Sequence, residues 1–362
     1  MLYDIYWLCD SPSPYNDYLF SKLSNENDIN LKVYYQKEKL PSHPWKEPMA
    51  QGYSRYFSNN KIDRNILSIP FINKKSIFII GGWNNINYLL LFIILILLRR
   101  PYIVWTDTPN IDKSRNFFKK IFRNIVLKTV FYNAIKILGT GIPACKVLHK
   151  MGCKKNKIIN FPYWTELAYN NYQNINNYNN DKKINFFSIG RLEKIKGYDI
   201  AIKAFADIGK SHNLNNINYF IIGDGKETQL LKLLTKELHI DNVVKFLGWK
   251  EPFFIKQKIC EWDVFIHPSR FEPYGVVILE SMANAKPVIA SDKTMAALDR
   301  IKHNYNGFIF KCDDINKLAY YILMLINDPS KIKLMGTRAR KTAEKWPIKK
   351  GITIIRSILK EI

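Results

Sequence analysis

The stretch from Asp263 to Ser291, DVFIHPSRFEPYGVVILESMANAKPVIAS, leaves few folding options. Val264-Phe265-Ile266-His267 is a short apolar run, and Pro268 to Pro273 interrupts it. Gly275 to Ala285 then carries apolar residues at helical spacing, before Pro287-Val288-Ile289-Ala290 resumes a strand. Strand, loop, helix and strand in that order predict an α/β sheet with a loop and a helix start at a strand's carboxyl end. Open α/β sheets bind ligands at that edge, and the unpaired N–H groups of a helix start attract phosphate. Glu272 and Glu280 bracket the turn with seven residues between them. One lies in the loop and the other one to two turns into the helix. At about 1.5 Å rise per helical residue they reach the two ends of a ligand roughly 10 Å long.

A second segment has the same design. Ile184 to Ile189 reads as a strand that runs into Gly190-Arg191-Leu192-Glu193-Lys194-Ile195-Lys196-Gly197, with a helix from about Tyr198. Glycine permits the tight turn, and Arg191 and Lys196 put two cations where a strand meets a helix start. That arrangement suits a diphosphate, Arg through its forked donors and Lys as a point charge. Tyr219 to Ile222 leads into Gly223-Asp224-Gly225, and Val243 to Gly248 is a further strand and loop.

The N-terminal part alternates in the same way. Ile5 to Cys9 is a strand, the turn-rich Asp10 to Asn16 follows, and a helix starts with Tyr18 to Leu23. Leu31 to Tyr35, Ser76 to Ile80 and Tyr102 to Trp105 are strands, and Ala134 to Leu138 and Ile158 to Phe161 read as the last of this part. Tyr88 to Leu98, YLLLFIILILL, is 11 residues long, against the ~20 that a spanning helix needs, and reads as a buried crossover helix. His43 to Phe57 is irregular and aromatic, a long connection that either covers a site or runs over the surface. Ile111 to Asn133 predicts an amphipathic basic helix, which either packs on its own sheet or docks on an anionic membrane surface.

Tyr163 to Asp181, rich in Asn and Tyr, breaks the pattern. It separates an N-terminal domain, 1–165, from a second domain, 182–346, with 166–181 as the linker and 347–362 as a terminal helix. Ile315 to Ala343 predicts two amphipathic helices before that last one.

With 362 residues there is room for two cores. A hydrophobic fraction of 47% excludes wholesale disorder. The formal charge of +24 implies an anionic partner, whether nucleic acid, acidic lipid or phosphorylated substrate. The basic residues are dispersed through both halves and form no recognised nucleic-acid module, so nucleic acid is not expected. Five scattered cysteines with no Cys-x-x-Cys pair favour reduced thiols and a cytoplasmic location, peripheral to the inner face of a membrane if the basic helix docks there. The start of the chain has no basic, then apolar, secretory pattern.

Glu272-Pro273-Tyr274-Gly275 with Glu280 resembles the Glu-x7-Glu signature of retaining GT-B glycosyltransferases, in particular glycosyltransferase family 4. Gly190-Arg191-Leu192 with Lys196-Gly197 resembles that family's Gly-Arg-Leu…Lys-Gly element. Gly223-Asp224-Gly225 and the Asn306-Gly307-Phe308 turn agree with it in order, so the likeness covers roughly residues 184 to 310. It implies two Rossmann-like parallel-sheet domains facing each other across a deep cleft, the terminal helix crossing back to the first. It also implies transfer of a sugar from a nucleotide diphosphate sugar to an acceptor hydroxyl, in polysaccharide, lipopolysaccharide or glycolipid synthesis.

The resemblance assigns roles residue by residue. Gly190, Arg191 and Lys196 hold the diphosphate, Phe246 lies near the base, and Glu280 binds the ribose hydroxyls. Glu272 contacts the donor sugar, and backbone amides of Tyr274, Gly275 and Val276 meet sugar or phosphate. Asp107, in the cluster Thr106-Asp107-Thr108, stands near where many members have a His, and joins Glu272 as the second catalytic candidate. Tyr15 and Asn16 are acceptor-side candidates for a saccharide or lipid-linked acceptor. No cofactor is expected besides the nucleotide sugar as co-substrate, and no metal, since the chain shows no convincing Asp-x-Asp element. Two alternatives stay open at this point: a non-catalytic basic binding protein on the same scaffold, and a nucleotide-sugar hydrolase or epimerase.

Overall fold

The structure is a computed structural model that describes residues 2–38, 52–58, 62–111, 117–166 and 183–362, with the backbone alone for 117–123. It divides into two compact units, Met1–Trp164 with Pro347–Ile362, and Thr165–Trp346. Both are α/β, each built on one wholly parallel sheet.

The first unit runs β1 (Tyr3–Cys9), α1 (Pro14–Ser24), β2 (Ile29–Tyr35), β3 (Ser54–Phe57), α2 (Arg64–Ile72), β4 (Ile77–Gly81), α3 (Ile86–Leu97), β5 (Tyr102–Thr106), α4 (Phe117–Asn133), β6 (Lys136–Gly139), α5 (Gly141–Lys150) and β7 (Ile158–Asn160). Its seven strands are ordered β3-β2-β1-β4-β5-β6-β7. The central strands β4 and β5 are continuous apolar runs because helices cover both faces of a parallel sheet. Along β1 the pleat sends Ile5, Trp7 and Cys9 to one core and Tyr6 and Leu8 to the other. Helix starts are set locally: Ser13 accepts from the Asn16 amide with Pro14 at the first helical position, and Asp63 and Asn85 cap α2 and α3.

The second unit runs β8 (Ile184–Ile189), α6 (Tyr198–Gly209), β9 (Ile217–Ile222), α7 (Thr228–Glu237), β10 (Val244–Gly248), α8 (Pro252–Lys258), β11 (Val264–His267), α9 (Val276–Ala283), β12 (Val288–Ser291), α10 (Met295–Arg300), β13 (Gly307–Phe310), α11 (Ile315–Asn327) and α12 (Pro329–Glu344). The six strands are ordered β10-β9-β8-β11-β12-β13, so the direction of winding reverses between β8 and β11. The last helix, α13 (Ile348–Lys360), belongs to the first unit. Ile355, Ile358 and Leu359 enter its core beside Ile5 and Trp7. Arg356 binds Glu26 and Asp28, and Gly351 lets the backbone lie against the Trp164 ring, 2.8 Å from where a Cβ would stand.

Three expectations need correcting. The segment read as irregular up to Phe57 contains β3, an edge strand held by pairing with β2 and by the stacked rings Tyr34 with Tyr56 and Tyr35 with Phe57. Four residues are too few for a periodic signal; the part at 43–51 lies outside the described residues, as does most of the expected linker at 166–181. Tyr163 and Trp164 are not part of the break in pattern, since Trp164 is core and packs on Phe161. The apolar helix α3 buries Tyr88, Leu91, Phe92 and Leu95 but leaves Ile93 and Leu97 in solvent. Among the described residues no helix is long and apolar enough to cross a membrane.

Because α13 fills a core formed largely by residues more than two hundred positions earlier, Ile358→Ala should destabilise the first unit by about 2–5 kcal/mol. A urea titration should show its transition moved to lower concentration; an unchanged midpoint would mean that α13 contributes little to that core.

Candidate functional site

The candidate site forms where the second sheet reverses direction. The loop after β8 carries Gly190 to Gly197 and the loop after β11 carries Pro268 to Gly275, and both lie at the carboxyl edge. The two loops are fastened to each other. Arg270 donates its amide to the Ile195 carbonyl, Nη1 to the Lys194 carbonyl at 2.8 Å, and a bidentate pair to Asp199 at 2.8 Å. Its Nε reaches Asp313 at 2.8 Å. Asp199 stays ionised: burial pushes its carboxyl up, and the Arg270 fork outweighs this and leaves it lowered.

Both loops end on a left-handed glycine. Gly197 has φ +69 and caps α6, and a Cβ there would stand 2.1 Å from the Pro268 carbonyl. Gly275 has φ +97 and caps α9. Neither glycine offers a capping side chain, whereas Asp314 caps α11 through the Lys317 amide; in α6 the Asp199 carboxylate accepts from its own amide. Two helix starts whose N-cap residues are glycine therefore flank the reversal point, and helix starts are a setting that binds anions.

Between them lies an ion pair. Lys196 Nζ bonds to Glu272 Oε2, with both side chains largely buried. His267 Nε2 stands 3.4 Å from the same oxygen and 3.1 Å from Ser269 Oγ. Burial alone would raise the Glu272 carboxyl, but the His267 hydrogen bond and the Lys196 charge overcome this and hold it down at about 2. Burial lowers His267, more than its contact with Glu272 raises it. The backbone of Glu272 is fixed as well, its amide donating to Lys293 and its carbonyl accepting from Met295.

Arg191 stays near the solvent and pairs with Glu193 at 2.7 Å. The Tyr198 side chain is buried, its hydroxyl 3.1 Å from where a Cβ at Gly190 would stand, and the charges of Glu272 and Arg191 both act on it. Glu280 sits in the second turn of α9, half-buried, and its carboxyl is pushed up by burial against the opposing charge of Lys256. Val276 is the first residue of α9. The Tyr274 side chain is structural, buried with its hydroxyl on Asp299 at 3.1 Å, so any donor contact there falls to its backbone. Phe246 packs partly on the core, with Lys232 Nζ 5.9 Å from its ring centre.

The candidates in the first unit form their own cluster at that sheet's carboxyl edge. Asp107 follows β5 and accepts from the Tyr163 hydroxyl after β7, and the Tyr163 ring meets Tyr15 edge-on at 4.6 Å. Burial, then the charge of Asp107, pushes the Tyr163 hydroxyl well above its ordinary range. Asn16 is buried, and its Oδ1 has no hydrogen-bond partner among the described residues. Sequence reading missed His267, Ser269, Tyr163 and Tyr198. Only His267, the polar residue closing an otherwise apolar strand, left a trace in the pattern. Among the described residues no group of three or more His, Cys, Asp or Glu side chains has metal-binding geometry.

Residues 171–342 match the family described as glycosyl transferases group 1. An uncharacterized glycosyltransferase of Haemophilus influenzae is 28% identical over 174 residues, 48% of each chain. The lipopolysaccharide core biosynthesis glycosyltransferase LpsE of Rhizobium meliloti is 30% identical over 158 residues, 43% of each chain. The chain thus spans about half or less of the length of these curated relatives. Anabaena HepE, solved in complex with UDP, superposes with a TM-score of 0.76 over 100% of both chains at 17% identity. The fold is GT-B.

Because Glu272 titrates lower in the fold than its ordinary 4.5, its contribution to stability is complete above about pH 4.5 and is lost as pH falls towards 2. The shift corresponds to roughly 3 kcal/mol. Melting temperatures from pH 6 to pH 2.5 should show a flatter acid limb for Glu272→Gln than for the parent; parallel limbs would show that Glu272 does not titrate as this environment requires.

Proposed function

We propose that the chain transfers a sugar from a nucleotide diphosphate sugar to an acceptor hydroxyl, with retention of configuration and without a metal ion, as its family resemblance implies. The observation that carries this reading is the Lys196–Glu272 pair set between two helix starts whose N-cap residues are glycine. The pair is ready to exchange partners. A diphosphate entering at the reversal point offers Lys196 a stronger anion, and Glu272, held ionised, is then free to accept hydrogen bonds from sugar hydroxyls.

In the reaction the bond from the anomeric carbon to the diphosphate oxygen breaks, a bond to the acceptor oxygen forms, and the acceptor proton passes to the departing diphosphate. Negative charge grows on the departing diphosphate. Lys196, Arg191 and the amides at the starts of α6 and α9 are the groups that stabilise it, already oriented before the bond breaks. Glu280 suits ribose hydroxyls, because no side chain bonds to its carboxylate among the described residues and its surroundings favour a hydrogen-bonding partner over a bare charge. Uridine diphosphate is the nucleotide proposed, since the superposable HepE binds UDP. Asp107, Tyr15, Asn16 and Tyr163 make the acceptor side, where a saccharide or lipid-linked acceptor places its hydroxyl. The relative from a lipopolysaccharide core pathway supports synthesis of a surface glycan as the setting.

Nucleoside diphosphate release from a panel of nucleotide sugars, with and without lipid-linked acceptors, tests the reading. Release that depends on an acceptor is expected; release without one indicates a hydrolase, and no release from any donor removes the proposal. Lys196→Ala should lower kcat/KM by about 10- to 100-fold, the weight of one charge-assisted contact. Arg191→Ala should lower it less, because its solvent-facing guanidinium is already paired with Glu193. Equal loss from both substitutions would contradict this ranking.

A further inference from the structure

We propose that the joined ends of α2 and α3, at the amino edge of the first sheet, form a docking tip for an anionic bilayer surface. The inference stands apart from the transfer chemistry and rests on three observations about one place.

The first is exposed apolar surface where folding has no use for it. α3 carries no charged residue at all, and once its inner face is buried it still presents Leu97, 76% exposed, and next to it Leu98. α2 ends on Phe71 and Ile72, which are 59% and 79% exposed. A helix that is apolar all round is at home only where something apolar meets its second face.

The second is charge. From Arg64 to Thr106 the chain has five cations and no acidic residue. Of these, Lys74, Lys75 and Arg99 are exposed directly beside the apolar ends. Asp4 touches this edge, with its carboxylate held by Asn30 at 2.6 Å and Asn73 at 2.8 Å. Large apolar side chains ringed by lysine and arginine match the boundary between acyl chains and acidic headgroups, where the cations face phosphate and the apolar groups sit below it.

The third is rigidity. Arg100 donates to the Lys74 carbonyl at 2.7 Å and the Pro70 carbonyl at 3.1 Å, which ties the end of α3 to the end of α2. Arg99 holds φ +51, the left-handed conformation in which a helix ordinarily ends on glycine, and so keeps a cation at the tip. The tip lies at the opposite edge of the sheet from Asp107 and Tyr15, so docking would leave the acceptor cluster open. For the expected basic helix, α4, the side chains of 117–123, which include three of its cations, lie outside the described residues, and the nearby Lys157 is occupied in capping the Tyr132 and Ala134 carbonyls.

The test is co-sedimentation of the full chain with phosphatidylcholine vesicles, with or without phosphatidylglycerol. Binding should require phosphatidylglycerol and weaken with salt. Lys74→Glu/Lys75→Glu/Arg99→Glu should lower the partition by at least about tenfold, and Phe71→Ser/Ile72→Ser/Leu97→Ser should lower it at every salt concentration. Lys150→Glu/Lys154→Glu/Lys155→Glu removes the same charge elsewhere on the first unit and should change it little. An equal loss in this control, or no binding by the parent, overturns the proposal. So does a parent dimer in light scattering that the apolar variant abolishes without any effect on lipid binding, which would make the tip a contact between copies. No donor is present in the assay, so its failure leaves the transferase reading untouched.

Discussion

A lysine and a glutamate taken out of water together are a poor device for stability. Desolvation of two charges consumes most of what their attraction returns, and an apolar pair of the same volume often serves a fold better. The Lys196–Glu272 pair nevertheless organises the second unit's loops: Arg270 fastens one to the other, Gly197 admits the Pro268 carbonyl, and His267 with Ser269 supports the carboxylate from below. Such investment makes physical sense if the pair has a third partner. A diphosphate needs a cation and oriented amides; a sugar needs an ionised acceptor. The reversal of strand order between β8 and β11 brings the two loops to one edge of the sheet, where the proposed donor would meet both.

The first unit repeats the architecture with different contents. Its carboxyl edge gathers Tyr15, Asp107 and Tyr163, an aromatic and acidic surface suited to a neutral, hydroxyl-bearing molecule. Its amino edge carries Phe71, Ile72 and Leu97 among cations. The proposed acceptor site and the proposed lipid-facing tip can thus share one sheet without conflict, because parallel strands give the two edges different loops.

Much of this was legible in the chain because α/β units write themselves plainly. Apolar runs such as Phe186-Phe187 and Val264 to Ile266 mark strands buried on both faces, and glycines at 197 and 275 mark helix starts. Lys196 and Glu272 were each visible as a charged residue beside such a glycine, but their contact across 76 positions was not, since no local pattern encodes which loops a sheet brings together. Tyr163 looked like part of a polar, patternless stretch because its role depends on Asp107 and Tyr15, far away in sequence. β3 was missed because four half-exposed residues on an edge carry no period. His267 passed as the end of an apolar strand, its contact with Glu272 appearing only in the folded arrangement.

Calorimetric titration of uridine diphosphate into the parent, Lys196→Ala, Glu272→Gln and the double variant tests the exchange of partners most directly. The account predicts weaker binding without Lys196 and undiminished or tighter binding without the Glu272 charge, since the lysine is then released to the phosphates. It also predicts that the double variant binds no better than Lys196→Ala alone. Equal affinity in the parent and Lys196→Ala would contradict it, as would a Glu272→Gln variant that loses the nucleotide as completely as the lysine substitution does.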